Sequence, residues 1–362
     1  MLVTIGIPTY NSGKYLRNCL ESILKQTYSN FEVIVSDNGS TDNTEEIVLS
    51  YKDPRIKFYR NERNLFCYGN YNRIIGLAKG ELLAIYHSDD VYEPNIVEEQ
   101  VEFLQIHKNV MAVFTEANFI NSKGKSIGKW EFPEELSGIE VLNFKITFNN
   151  FLKFGDFLIC PSAMFVKKVF TDVGFFKEEN FFATTDEQAW LDLLEKYNMK
   201  KDMVFTANDL EMWLRILQKF HIGILHKKLM SYRIHPEQGT FEYSTSYENF
   251  FIVMDYYAGY ADKNQIILND CWKSYETKKI QCEFLKGQTA LRNGNFRDAR
   301  RNFIDFIKHF DMISVPTTKD FFRFLWALSV LSSGSFIIIL KKMAQYYLMY
   351  RTKQKQKNLK FP

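Results

Sequence analysis

Strands that alternate with helices over the first 115 residues predict an α/β fold with a mostly parallel sheet flanked by helices. A stretch without strand signal after residue 240 predicts a helical C-terminal region. A third observation sets the polarity of the sheet: each apolar run in the first part ends in a polar, turn-forming cluster.

In chain order, "LVTIGIP" is a buried strand by its β-branched content, and "GKYLRNCLESILKQ" carries apolar residues at helical spacing, with Asn11 or Ser12 as its expected cap. "FEVIVS" is the second strand, followed by a helix from about Asn43 to Tyr51 that Asp42 is expected to cap. "IKFYR" is the third strand, "YNRIIGLAKG" a helix expected to stop at a C-cap glycine, and "ELLAIYH" the fourth strand. A helix from Pro94 to His107 and the strand "VMAVFTE" follow. Helical crossovers of this length pair strands in parallel, and ligands of such sheets bind beyond the carboxyl ends of the strands. "PTYNSG" (8–13), "DNGSTDN" (37–43), "RNERNLFCYGN" (60–70) and "HSDD" (87–90) should therefore converge on one edge. Beyond them come a hairpin at "NSKGKSIGKW", then strand, helix and glycine stop in "ICPSAMFVKKVFTDVGFF". Two amphipathic helices, "TTDEQAWLDLLEKY" and "NDLEMWLRILQKF", and the strand "IGILHKKLMSYRIH" close a first domain, 1–240.

Composition narrows the function. In 362 residues the hydrophobic share is 46% and the charged share 25%, ordinary for a folded protein large enough for two domains. A net charge of +3 with no basic stripe excludes a nucleic-acid partner. The five cysteines form no C-x-x-C pair, which argues against zinc and dithiol chemistry. The opening strand has no basic n-region before it, so no signal peptide and a reducing, cytoplasmic location are expected. In the helical region 241–362, "FLKGQTALRNGNFRDARRNFIDFIK" has the spacing of a helix–turn–helix resembling a tetratricopeptide unit. "FLWALSVLSSGSFIIIL" (324–340), followed by basic residues, fits either a buried terminal helix pair or a peripheral contact of residues 320–362 with a membrane surface.

The chemistry concentrates in "AIYHSDDVYEP". Adjacent like charges at Asp89 and Asp90 repel unless water solvates both or a cation sits between them. Hard divalent cations take such oxygen ligands. "TIGIPTYNSGKYLRNCLESILKQTYSNFEVIVSDNGSTDNT", then "HSDD", then "NDLEMWLRI" resembles a family 2 glycosyltransferase of GT-A fold over roughly residues 2–240. The resemblance implies inverting transfer of a sugar from a nucleotide donor, usually UDP-linked, to a hydroxyl acceptor, with Mn²⁺ or Mg²⁺. A surface glycan or lipid-linked acceptor at the inner membrane face would suit the apolar, basic tail.

Residue by residue, it implies Asp90 as metal ligand and Asp89 at the donor ribose or sugar, with His87 where relatives carry a third acid. Asp37 would accept the uracil N3–H, or start an Asx turn in "DNGS". Pro8, Thr9 and Tyr10 would line the base and ribose pocket, with Arg63 and Asn64 as further contacts. Asp209 stands where the general base should be, and the helix N-terminus should depress its pKa; Asp186 and Glu187 are the competing acids. Arg233 and His235 would meet the diphosphate or the metal. Two other functions fit the same sheet: a catalytically silent nucleotide-sugar-binding or scaffold protein, and a nucleotidyltransferase, although "PTYNSGKY" lacks the glycine-rich phosphate loop of the latter.

Overall fold

The computed structural model describes residues 1–177, 187–197, 207–238 and 247–310, with single positions between 313 and 327. It divides into a unit Met1–Ile267 and a second beginning at Leu268. The first unit therefore extends past residue 240 and includes the helix Tyr247–Lys263, here α9. The reason is side-chain packing: Tyr257 donates to Glu211 at 3.1 Å, the Tyr260 ring meets Phe144 edge-on at 4.9 Å, and Asn149 donates to the Ile266 carbonyl at 2.9 Å.

The sheet is built on β1 (Val3–Thr9), β2 (Phe31–Asp37), β3 (Ile56–Arg60) and β4 (Leu82–Ile85), paired in parallel in the order β3-β2-β1-β4. Helices α1 (Leu16–Leu24), α2 (Thr44–Leu49) and α3 (Phe66–Leu77) are the crossovers. The short β5 (Val91–Tyr92), α4 (Ile96–Ile106) and β6 (Val110–Asn121) follow; β7 (Ser126–Trp130) forms the expected hairpin with β6. Next come β8 (Val141–Leu142), α5 (Phe144–Phe154), β9 (Met164–Val166), α6 (Val169–Val173), α7 (Glu187–Lys196), α8 (Asn208–Leu217) and β10 (His221–Ile234). β9 inserts antiparallel between β4 and β6, while β10 runs parallel to β6. The carboxyl ends of β1, β2, β4, β6 and β10 thus share one edge, as the alternation predicts.

Local details depart from expectation where tertiary contacts supply partners. The α1 N-cap position is Tyr15; Asn11 and Ser12 lie before it, and Asn11 adopts φ 49. Their polar groups go instead to the next loop: Asn11 N donates to Ser40 Oγ at 2.8 Å and Ser12 N to Thr44 Oγ1 at 2.9 Å. The α2 N-cap position is Asn43; Asp42, one residue before it, accepts from Thr44 N at 3.0 Å and from Gly13 N at 2.9 Å, so it joins two loops. α3 ends at Ala78 in extended conformation rather than at a C-cap glycine. Gly80 is needed for proximity, since a Cβ there would lie 2.5 Å from Thr4 N and 2.6 Å from Leu82 O.

In the second unit, α10 (Asn269–Arg292) and α11 (Phe296–Lys308) form the expected helical hairpin around Phe284, Phe303 and Phe306. Phe324 and Ala327 are buried in the same cluster, as a packed terminal segment requires. Most of 324–340 lies outside the described residues; among those described, no helix is long and apolar enough to cross a membrane.

Candidate active site

Two regions of the common edge carry the chemistry, and α3 joins them. In the first, Thr9 and Asp37 are register partners at the ends of β1 and β2, with Thr9 Oγ1 donating to Asp37 Oδ1 at 3.2 Å. Asp37 is fully buried and also accepts from Ser40 N at 2.9 Å and from the Ser40 hydroxyl, three residues on, which holds the "DNGS" loop against its carboxylate. Arg60 Nη1 stands 4.0 Å from its other oxygen. Tyr10, on the adjoining loop, is 53% exposed. Pro8 is half-buried before it, while Arg63 and Asn64 are exposed at the third loop, where Asn64 Oδ1 accepts from Phe66 N at 2.7 Å.

The acid pair lies next to these loops, linked to them by the 2.8 Å hydrogen bond between Ser88 Oγ and Ser12 Oγ. His87, Asp89 and Asp90 offer ligand atoms that lie within 4.8 Å of one another. Asp90 is buried; its Oδ1 accepts from Arg233 N at 2.8 Å, whereas Oδ2 is buried with no hydrogen-bond partner. An orphaned buried carboxylate oxygen is costly, and a cation is the partner its chemistry asks for. Burial, and then the Asp89 charge, push the Asp90 carboxyl well above its usual range. Burial also opposes the Asp89 charge, but the His235 hydrogen bond and nearby His87 outweigh it and hold that carboxyl low. The imidazole of His87 is itself driven toward its neutral, ligating form by burial, and its Nε2 meets Tyr71 Oη at 2.7 Å. The two acids supply the hard oxygen ligands that suit Mn²⁺ or Mg²⁺, with the imidazole as a nitrogen donor beside them.

Arg233 and His235 stand behind the acids. Arg233 is 2% exposed; its Nε donates to the Asp89 carbonyl at 2.7 Å, Nη1 to the Asn121 carbonyl at 3.2 Å, and the guanidinium lies 4.6 Å from the Tyr15 ring centroid. Its Nε and Nη1 therefore brace the acid loop from behind. His235 Nε2 meets Asp89 Oδ2 at 3.0 Å, and its Nδ1 is buried without a hydrogen-bond partner. His235 thus touches Asp89, one residue from the expected metal ligand.

Asp209 forms the second region, at the start of α8. Its Oδ1 accepts from Leu210 N at 2.8 Å, and the Tyr68 phenol hydrogen-bonds its carboxyl. The expectation of a depressed pKa is corrected here. Burial raises it from 3.8 to about 6, overriding the backbone N–H groups of the helix start. Asp156, just past α5, was not singled out in the sequence; burial and the Asp209 charge push its carboxyl well above the usual range. No spacing signal could mark it, because 53 residues of chain separate the two acids. α3 spans the two regions: Tyr68 and Tyr71 pack edge to face at 5.6 Å, Tyr68 reaching Asp209 and Tyr71 reaching His87. Asp186 lies outside the described residues, as does the side chain of Glu187. Trp213 is fully buried against Phe114 and Phe165, and Trp130 donates to the Phe157 carbonyl, both structural roles.

Comparison with known proteins bears on the family and the fold. The family model described as Glycosyl transferase family 2 matches residues 4–174. An uncharacterized glycosyltransferase of Rickettsia felis is 34% identical over 197 residues, covering 53% of this chain and 31% of that protein; one from Rickettsia typhi is 34% identical over 195 residues, covering 53% and 58%. The chain thus spans about a third to somewhat over half the length of these two relatives. The Escherichia coli UDP-Glc:alpha-D-GlcNAc-diphosphoundecaprenol beta-1,3-glucosyltransferase WfgD is 30% identical over 198 residues, covering 55% of this chain and 72% of WfgD. Among solved structures, Staphylococcus aureus TarS 1-349 superposes with a TM-score of 0.56 at 19% identity, covering 90% of each chain. The same protein in complex with UDP gives 0.54. At that identity the likeness establishes the fold, and the fold is GT-A. With the relatives' sequences and the edge of loops now in place, the chain belongs to glycosyl transferase family 2.

Proposed function

We propose that the chain is a metal-dependent inverting glycosyltransferase that moves a sugar from a UDP-sugar to a hydroxyl of a glycan or lipid-linked acceptor, in surface polysaccharide synthesis. The observation that carries this reading is the buried, unpartnered Oδ2 of Asp90 with Asp89 and His87 beside it, at the sheet edge where the β1 and β2 ends bring Thr9 and Asp37 together. WfgD is named for a UDP-Glc donor and a diphosphoundecaprenol acceptor, and TarS has been crystallised with UDP and with UDP-GlcNAc, which supports donor and acceptor class.

Asp90, Asp89 and His87 would hold Mn²⁺ or Mg²⁺, which when bound stabilises the charge growing on the departing diphosphate. Asp37, anchored by Thr9 and Ser40, fixes the edge that reads the base, and Tyr10 supplies an exposed ring beside it. Arg233 and His235 position the acid loop. Asp209 takes the proton of the acceptor hydroxyl; a base with a pKa near the operating pH is ionised enough to act and basic enough to pull. Tyr68 orients that carboxylate. Residues 1–240 would carry this chemistry, and residues 320–362 would contact the inner face of a membrane from the cytoplasmic side; the latter lie largely outside the described residues. The test is release of UDP from a panel of UDP-sugars with Mn²⁺. Activity with one donor is expected, and absence of release and of UDP binding across the panel overturns the reading.

A further inference from the structure

Phe66, the first residue of α3, has φ 55. A bulky aromatic residue seldom adopts this left-handed conformation, and holding it there requires other interactions. Two are present. Asn64 Oδ1 accepts from Phe66 N at 2.7 Å, and Asn38 Nδ2 donates to the Phe66 carbonyl at 2.9 Å. Asn38 Oδ1 in turn accepts from Asn61 Nδ2 at 2.8 Å and Leu65 N at 3.3 Å, lacing the loop before α3 onto the residue that follows Asp37.

Core packing does not account for this arrangement, because Phe66 is 46% exposed. On the other flank of the Asp37 loop, Tyr10 is 53% exposed, and its neighbour Asn11 accepts from Thr41 N at 2.9 Å. The loop after β2 is thus fastened on both sides to a segment that carries an exposed aromatic residue. A planar π-system is the ligand that an exposed aromatic ring held in place suits.

We infer that Phe66 is a stacking platform for the nucleobase of the donor, the second aromatic wall beside Tyr10. This rests on the nucleotide-sugar reading above. The base, rather than the acceptor, is the occupant because the strained residue is tied to Asn38, in the loop that Asp37 anchors at the proposed base-reading edge. Tyr68, whose phenol hydrogen-bonds Asp209, lies further along α3 on the acceptor side.

Calorimetric titration of UDP with Mn²⁺ tests the inference in the full chain and in Phe66→Leu, Phe66→Gly and Phe66→Tyr. Phe66→Leu keeps the backbone strain but loses the π-face; Phe66→Gly relieves the strain and loses the ring. Both should weaken UDP about tenfold or more, and Phe66→Tyr should bind as the parent does. Thermal unfolding identifies any variant that fails to fold; a folded Phe66→Leu that binds UDP like the parent overturns the inference. So does unchanged UDP affinity with a raised KM for the acceptor, which would move the ring to the other substrate. A parent chain that binds no UDP at all sinks the nucleotide-sugar reading itself, a distinct failure.

Discussion

The carboxyl of Asp209 sits at about 6 in the folded chain against an ordinary 3.8, because burial disfavours its charge. A gap of roughly two pKa units corresponds to about 3 kcal/mol, borne by the fold whenever the group is ionised. The folded pKa lies above the unfolded one, so the native state binds the extra proton between the two values. Stability relative to neutral pH is therefore gained below pH 3.8 and lost as pH rises through 6. Asp209→Asn removes the charge while leaving an oxygen to accept from Leu210 N. It should raise the unfolding free energy at pH 7.5 by up to about 3 kcal/mol, a Tm increase on the order of 5–10 °C for a unit of this size. The increase should vanish near pH 4. Transfer should fall by about 10²–10⁴-fold while UDP binding is retained, and parent activity should decline as pH drops through 6. Circular dichroism melts across pH, with transfer rates measured in parallel, give both readouts. An Asp209→Asn variant that melts lower than the parent at pH 7.5, or that transfers at the parent rate, refutes the assignment.

Alanine at both Asp89 and Asp90 should abolish the Mn²⁺ dependence of UDP affinity, seen by calorimetry with and without the metal; an unaltered dependence removes the cation site. Arg233→Met should lower stability by about 3 kcal/mol or more in denaturant titration, since it removes a buried cation from the Asp89 and Asn121 carbonyls and from beside the acid pair. Gly6→Ala should cost about 1–3 kcal/mol, because the added methyl would lie 2.3 Å from Ile74 Cγ2; by pushing α3 outward it should also lower transfer more than it weakens UDP binding.

Much of the edge was written in the primary structure. Apolar runs closed by "PTYNSG", "DNGSTDN" and "HSDD" place Thr9, Asp37 and the acid pair at strand ends whatever the details of packing, since parallel strands joined by helices must end on one side. The acid at the start of α8 was legible for the same local reason. Three-dimensional packing decided the rest. β9 enters the sheet antiparallel between β4 and β6, a pairing that no periodicity encodes. Arg233 turned out to be a brace behind the acids, because its partners are backbone carbonyls from distant segments. The sign of the Asp209 shift also reversed. A helix start is a sequence feature, but the burial that opposes it comes from residues remote in the chain, Asp156 and Tyr68 among its neighbours. Sequence thus determined which groups reach the common edge. Only tertiary structure set their solvation and their partners, because desolvation depends on everything packed around a charge and not on the residues beside it in the chain.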